Sequence, residues 1–171
     1  WHGLADYDRR RPVASGRWVV VDVESSGLDA VHDRLIAVGA LAVVDGAVDL
    51  ADSFEVVLRQ ETPSDDDNIE VHGIGGTEQT EGEDPAVALA AFLDFVGKDP
   101  LVAFHAPFDA TMLRRAIDAH RVARDDSPKK LLVSFITMET AQPRARLNAS
   151  RICHTGTFPA SRAGEAGHAG P

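Results

Sequence analysis

The sequence is poor in cysteine and has no long apolar run. Cys153 is the only cysteine among 171 residues, which excludes an internal disulfide and a cysteine-rich zinc site and fits a reducing compartment. The longest apolar run, 35–44, has ten residues, whereas a membrane helix needs about twenty. The sequence also shows no apolar N-terminal targeting segment. We therefore expect a cytoplasmic protein that does not associate with membranes.

Basic residues are scarce as well. The chain has 17 Lys and Arg against 27 Asp and Glu, a formal net charge of −10. This balance argues against a broad basic surface that binds duplex nucleic acid by neutralising phosphates. It does not exclude a small acidic site, because carboxylates that hold divalent cations can bind a nucleic acid end through the metals. Any such affinity should then depend on metal.

The apolar pattern predicts an α/β domain. The sequence indicates strands at 18–23, 35–44 and 48–59, a short helix within 69–74, a helix at 85–96 capped by Asp84, a strand at 101–104 and a helix at 108–120. The first three strands are joined by short turns, one of them Asp45-Gly46, and should form an antiparallel meander. The whole pattern predicts a mixed sheet with helices packed on it.

Composition divides the chain into three parts. Residues 1–16 show no periodicity and are interpreted as a flexible leader, and 17–126 as the folded domain. Residues 1–126 carry a net charge of −14 and residues 127–171 a net charge of +4. The second of these segments is rich in small and polar residues and has no periodicity beyond Met138. We predict that 127–171 is an atypical, poorly ordered tail.

An acidic pair follows the first apolar strand. Asp22 and Glu24 are one residue apart, so in a strand their side chains point to the same face. Two adjacent carboxylates repel each other unless a cation compensates. A divalent cation is one interpretation, and a strand that simply ends in solvated charges is the other.

The residues around this pair resemble a known family. Segment 21–28, Val-Asp-Val-Glu-Ser-Ser-Gly-Leu, is similar to the D-x-E-T-T-G-L motif of the DnaQ-like, DEDD-type 3′→5′ exonucleases. A glycine lets the backbone approach a nucleotide, small hydroxyl residues leave room for a sugar, and an apolar residue can lie under a base. The resemblance implies that Ser25, Ser26, Gly27 and Leu28 bind substrate.

Two further segments extend the resemblance over about residues 17–120. Segment 104–109, Phe-His-Ala-Pro-Phe-Asp, is similar to H-N-x-x-F-D, with Phe104 and His105 in place of the usual His and Asn. This implies that Asp109 is the third acidic ligand and that Phe108 and His105 lie at the substrate site; for His105 a structural role is equally open. Segment 69–74 is similar to I-x-x-x-H-G-I and implies a nucleotide contact for His72. Segment 33–36 is similar to D-R-I-I.

The resemblance implies a ribonuclease H-like α/β fold and hydrolysis of phosphodiester bonds at single-stranded nucleic acid 3′ ends. Asp22, Glu24 and Asp109 would hold two ions of Mg²⁺ or Mn²⁺, which suit oxygen ligands. Members of this family act in proofreading, repair and RNA trimming, which makes a polymerase or another protein a candidate partner.

One motif of the family is missing. A His or Tyr general base with a fourth Asp four or five residues later is expected near the C-terminus, but no aspartate follows Asp126. Glu165 lies eleven residues after His154, and no carboxylate follows His168. The loss coincides with the change in composition, and we hypothesise a frameshifted or replaced tail after about residue 130. An intact reading frame that encodes the same tail in every copy of the locus would contradict this hypothesis.

Two alternatives to an active exonuclease stay open. One is a non-catalytic relic of the fold that still binds nucleotides or metal, which turnover alone would distinguish. The other is an acidic interaction domain in which the loop at 61–84 binds a basic partner. The second alternative leaves both motif similarities unexplained.

Overall fold

The computed structural model describes residues 15–122 and the backbone of residues 135–137. The first fourteen residues of the predicted leader and most of the predicted tail, including Cys153, His154, Glu165 and His168, lie outside the described residues. The boundaries drawn at residues 16 and 126 stay predictions.

The described residues form one mixed sheet with helices packed on it. In chain order the elements are β1 (Arg17–Ser25), β2 (Leu35–Val44), β3 (Ala47–Val57), α1 (Asp66–His72), α2 (Gly76–Thr80), α3 (Pro85–Val96), β4 (Leu101–Ala103), α4 (Ala106–Ala119) and β5 (Phe135–Thr137). The sheet order is β3-β2-β1-β4-β5. Strands β1, β2 and β3 are antiparallel neighbours, whereas β4 pairs parallel with β1 and β5 parallel with β4. The predicted α/β fold, a meander plus parallel strands, is confirmed.

One face of the central strand β1 is buried, and the other face is exposed to solvent near the C-terminal end of the strand. Val19, Val21 and Val23 alternate into the core, as expected for β-branched residues in a central strand. Apolar residues of α3 and α4 pack in the same core, including Leu89, Phe92, Val96, Met112, Leu113 and Ile117. The Asp45-Gly46 turn has positive φ at both residues, 51° and 84°, the geometry of the tight hairpin turn that this dipeptide favours.

Several element boundaries differ from the sequence prediction. Strand β1 continues through Ser25, so that Glu24 lies inside it, and α4 begins at Ala106. The predicted short helix begins earlier, at Asp66, because Asp65 caps it by accepting a hydrogen bond from the Asn68 backbone N–H at 2.8 Å. Helix α2 was not predicted, because its five residues are almost all polar. Strand β5 lies within the range assigned to the tail.

Two polar clusters hold the periphery of the sheet. Arg17, at the start of β1, forms a bidentate salt bridge to Asp52 of β3 and a single bond to Asp99 after α3. This pairing lowers the pKa of Asp52. Gln79 of α2 is fully buried, accepts from Ser64 N, and donates to Ser64 Oγ and Ile74 O.

Among the described residues, no helix is long and apolar enough to cross a membrane.

Candidate active site

Asp22 and Glu24 stand on one face of β1 at its C-terminal end. They face Gly39 and Ala37 of β2, and the pairing register shifts directly after Glu24, an irregularity that often occurs beside functional sites. A Cβ built on Gly39 would meet nothing within 4 Å, so the surface beside Asp22 is open. Asp22 is exposed and Glu24 is half-buried. The strand therefore presents both carboxylates from a rigid central position.

Electrostatics disfavour the charged form of Glu24. Burial is the main cause of its raised pKa, and the adjacent charge of Asp22 adds to the shift. The nearby imidazole of His72 acts in the opposite direction. Glu24 is thus influenced by the like charge of Asp22 on its own strand and by the His72 ring of α1.

Asp109 is a buried carboxyl group in the first turn of α4. Asp109 is only 3% exposed, and burial is the largest cause that raises its pKa to about 6. Its own backbone amide favours the charged form, the charge of Asp22 disfavours it, and His105 and the backbone of Val23 give smaller stabilisation. Within residues 15–122, no side chain forms a salt bridge with Asp109. Among these residues the buried carboxylate therefore has no salt-bridge partner to compensate its negative charge.

Asp22 is the common neighbour of the other two acids. Its charge acts on both Glu24 and Asp109, so Asp22 lies within electrostatic reach of the other two sequence-predicted ligands. In the part of the chain that is described, however, no three His, Cys, Asp or Glu side chains converge closely enough to hold a metal ion. The donor set is oxygen-only and suits Mg²⁺ or Mn²⁺, and a cation would relieve the repulsion. The three acids therefore suit the expected metal in the type of their donor atoms, although they do not converge on one point in this structure.

The loop of residues 25–34 carries the other residues of the first motif. Ser25 Oγ donates to Gly27 O at 2.6 Å, and Ser26 Oγ donates to the Asp33 carboxylate and accepts from Arg34 N. Both hydroxyls are therefore engaged within the loop. Leu28 is 94% exposed. Val31 of the same loop is also exposed, but Leu28 is the apolar residue that belongs to the first motif.

His72 is tied into a hydrogen-bond network that reaches β1. Ile74 N donates to His72 Nδ1 at 3.0 Å, so in the neutral ring Nε2 carries the proton and can donate to Asn68 Oδ1 at 2.9 Å. Asn68 Nδ2 in turn donates to Ser25 O at 3.0 Å. His72 and Asn68 therefore connect α1 to the end of the strand that carries Glu24.

The second motif lies at the start of α4. His105 is the N-cap residue but makes no capping bond with its side chain. Its ring lies parallel to that of Phe108, with centroids 6.2 Å apart and 6° between the planes. His105 is exposed and Phe104 is 63% exposed, whereas Phe108 packs against the core. The exposed ring of His105 therefore lies near Asp109.

Sequence reasoning missed two residues that shape this site. Asn68 lies in an acidic segment that gave no signal beyond a capped short helix. Arg115 lies at a half-buried position of α4 and donates to the carbonyls of Ala30 and Asp33 at 2.7 and 2.8 Å. Asp33 itself was noted through its segment, and its carboxylate proves to organise the loop.

The mixed sheet, an antiparallel meander plus parallel strands with helices packed on it, defines a ribonuclease H-like α/β domain. Residues 19–142 match the exonuclease family RNase_T, and the chain belongs to that family. The match includes all three acids and both flanking motifs.

Relatives include DNA polymerase III proteins. The chain is 34% identical over 99 residues to DNA polymerase III PolC-type of Bacillus subtilis (strain 168), which covers 58% of this chain and 7% of that protein. It is 30% identical over 116 residues to DNA polymerase III PolC-type of Listeria monocytogenes, which covers 67% of this chain and 8% of that protein. The chain thus spans less than a tenth of the length of these relatives.

Solved structures share the fold. Apo exonuclease I superposes with a TM-score of 0.56 and 16% identity, over 63% of this chain and 26% of that one. Escherichia coli exonuclease I in complex with a dT13 oligonucleotide gives a TM-score of 0.54 at 16% identity, over 63% and 25% of the two chains. At this identity the likeness establishes the fold alone.

Proposed function

We propose that this domain is a metal-dependent 3′→5′ exonuclease that hydrolyses phosphodiester bonds at single-stranded nucleic acid ends. The observation that carries the proposal is the position of Asp109. Its carboxyl group is buried, has a raised pKa and lies within electrostatic reach of Asp22 on β1, and a divalent cation would relieve the repulsion between these acids. Membership of the exonuclease family supports the same conclusion.

Asp22, Glu24 and Asp109 would hold the cations. Two bound cations would stabilise the negative charge that develops on the attacking and leaving oxygens. The protein's own groups bind and orient the strand. Leu28 offers an apolar contact to a terminal base, and the His105 ring offers a stacking surface next to Asp109. His72 donates from Nε2 to Asn68 and keeps the end of β1 in place.

A second candidate is a domain that binds metal and nucleotides with little turnover. The observation that favours it is the absence of any aspartate after Asp126, which leaves the family's fourth ligand and its general base unassigned. A domain that lacks both groups would lose most of its rate. Since the relatives are DNA polymerase III proteins, a polymerase is the protein partner that we propose in either case. The acidic interaction domain is less favoured, because it needs no buried carboxylate site.

The test is degradation of a 5′-labelled single-stranded oligonucleotide with Mg²⁺ or Mn²⁺. We expect a ladder of shortened products that retain the 5′ label, lost in Asp22→Ala and retained in Asp94→Ala, which removes an exposed aspartate of α3. Equal activity of wild type and Asp22→Ala would contradict the assigned site. Mn²⁺ binding that needs Asp22, without any cleavage, would establish the second candidate.

A further inference from the structure

The loop of residues 25–34 is built as a rigid unit around one carboxylate. Asp33 Oδ1 accepts from Ser26 Oγ at 3.1 Å and Oδ2 from Asp29 N at 2.8 Å. The carboxylate lies so close to Gly27 that a Cβ there would stand 2.5 Å from Oδ2. Ser26 N also donates to Arg34 O at 2.9 Å, which closes the loop at its base. The loop therefore has an internal frame that exposes Leu28.

Arg115 of α4 anchors this frame through two hydrogen bonds. Arg115 Nη1 donates to both Ala30 O and Asp33 O, and the partly buried guanidinium reaches across more than eighty residues of sequence. Asp109 lies on the same helix, less than two turns away. Arg115 thus couples the helix that carries the buried acid to the loop that carries Leu28.

We propose that Arg115 is a positioning residue, which fixes the loop of residues 25–34 over the acidic site so that Leu28 meets the terminal base of a single-stranded substrate. This inference rests on the proposed function. Arg115 does not touch substrate. It acts through two backbone carbonyls, whose bonds to a charged donor are stronger than bonds between neutral groups.

Three substitutions can distinguish a positioning role of Arg115 from a simple effect of its charge. Because one nitrogen makes both bonds, the planar fork of arginine is not required, and the ammonium of Arg115→Lys can replace it in part. Arg115→Met keeps much of the apolar stem and loses both bonds. Arg114→Met removes the same charge from the neighbouring position of α4 and serves as the matched control.

The experiment has two readouts. Hydrogen exchange is followed at the loop amides Ser26, Asp29, Asp33 and Arg34, which all have hydrogen-bond partners. Affinity is measured by anisotropy of a labelled single-stranded oligothymidylate with phosphorothioate linkages, in Mg²⁺. In Arg115→Met we expect loop protection and affinity each to fall by roughly tenfold, the change expected for the loss of a charged hydrogen bond. Arg115→Lys should restore most of both, and Arg114→Met should change neither.

A double-mutant cycle with Leu28→Ala tests whether the two residues act together. Leu28→Ala should weaken binding without changing loop protection, and adding Arg115→Met should then weaken binding less than it does in the wild type. Additive effects on affinity, or lost protection with unchanged affinity, would overturn the proposal. If wild type binds no oligonucleotide, the proposed function fails, while undiminished loop protection in Arg115→Met would separately refute the anchor.

Discussion

The Asp109→Asn substitution should change how stability depends on pH in the metal-free protein. The pKa of Asp109 is raised from 3.8 to about 6. Between these values the folded state binds more protons than the unfolded state, so the free energy of unfolding falls as pH rises through this window. A shift of about two pKa units corresponds to at most about 3 kcal/mol. The destabilisation that ionised Asp109 causes is absent below about pH 4 and nearly complete above about pH 6.

Asparagine keeps an acceptor oxygen and cannot ionise. In urea denaturation with EDTA, we expect wild type and Asp109→Asn to have similar stability at pH 4, and the variant to be more stable at pH 7 by up to about 3 kcal/mol. The exposed Asp94→Asn should follow the wild type at both pH values. Mg²⁺ at pH 7 should stabilise the wild type more than the variant. Parallel pH profiles of wild type and Asp109→Asn would refute the reasoning.

Two further substitutions test the surroundings of the site. Gly27→Ala should lower stability by about 1–3 kcal/mol and weaken oligonucleotide binding, because the new Cβ displaces the Asp33 carboxylate. The control is Gly75→Ala, because a Cβ at Gly75 meets nothing within 4 Å. Thermal denaturation compares the two variants, and an equal loss of stability in both would refute the role given to the Gly27 contact. Gln79→Leu should lower the free energy of unfolding by about 3 kcal/mol or more, since it leaves buried groups of Ser64 and Ile74 without partners. A urea midpoint close to that of wild type would contradict this expectation.

The meander could be predicted because its signals are local. Apolar runs of strand length and the Asp45-Gly46 dipeptide specify three antiparallel strands without any distant contact. The pairing of β4 with β1 and of β5 with β4 could only be inferred from the family resemblance. Strand β5 gave little signal, since its three residues lie in a segment with the composition of a tail.

The acids of the site were predictable as candidates, whereas their supporting contacts were not. Asp22 and Glu24 follow from strand parity, and Asp109 follows from its motif. The burial of Asp109 could not be predicted, because it depends on how α4 packs on the sheet. Asn68 and Arg115 act through backbone carbonyls of residues more than forty positions away, and such contacts leave no pattern in the sequence. The roles of the predicted site residues stay predictions.

The position of the three acids along the chain has a consequence for folding. Asp22 and Glu24 stand in a meander that forms from neighbouring segments, while Asp109 arrives on α4, more than eighty residues later. Closing this long loop has an entropic cost that the meander does not have. A cation held by all three acids would therefore act as a cross-link between the early and the late part of the domain. We expect it to slow the separation of α4 from the sheet and to leave the meander largely unaffected.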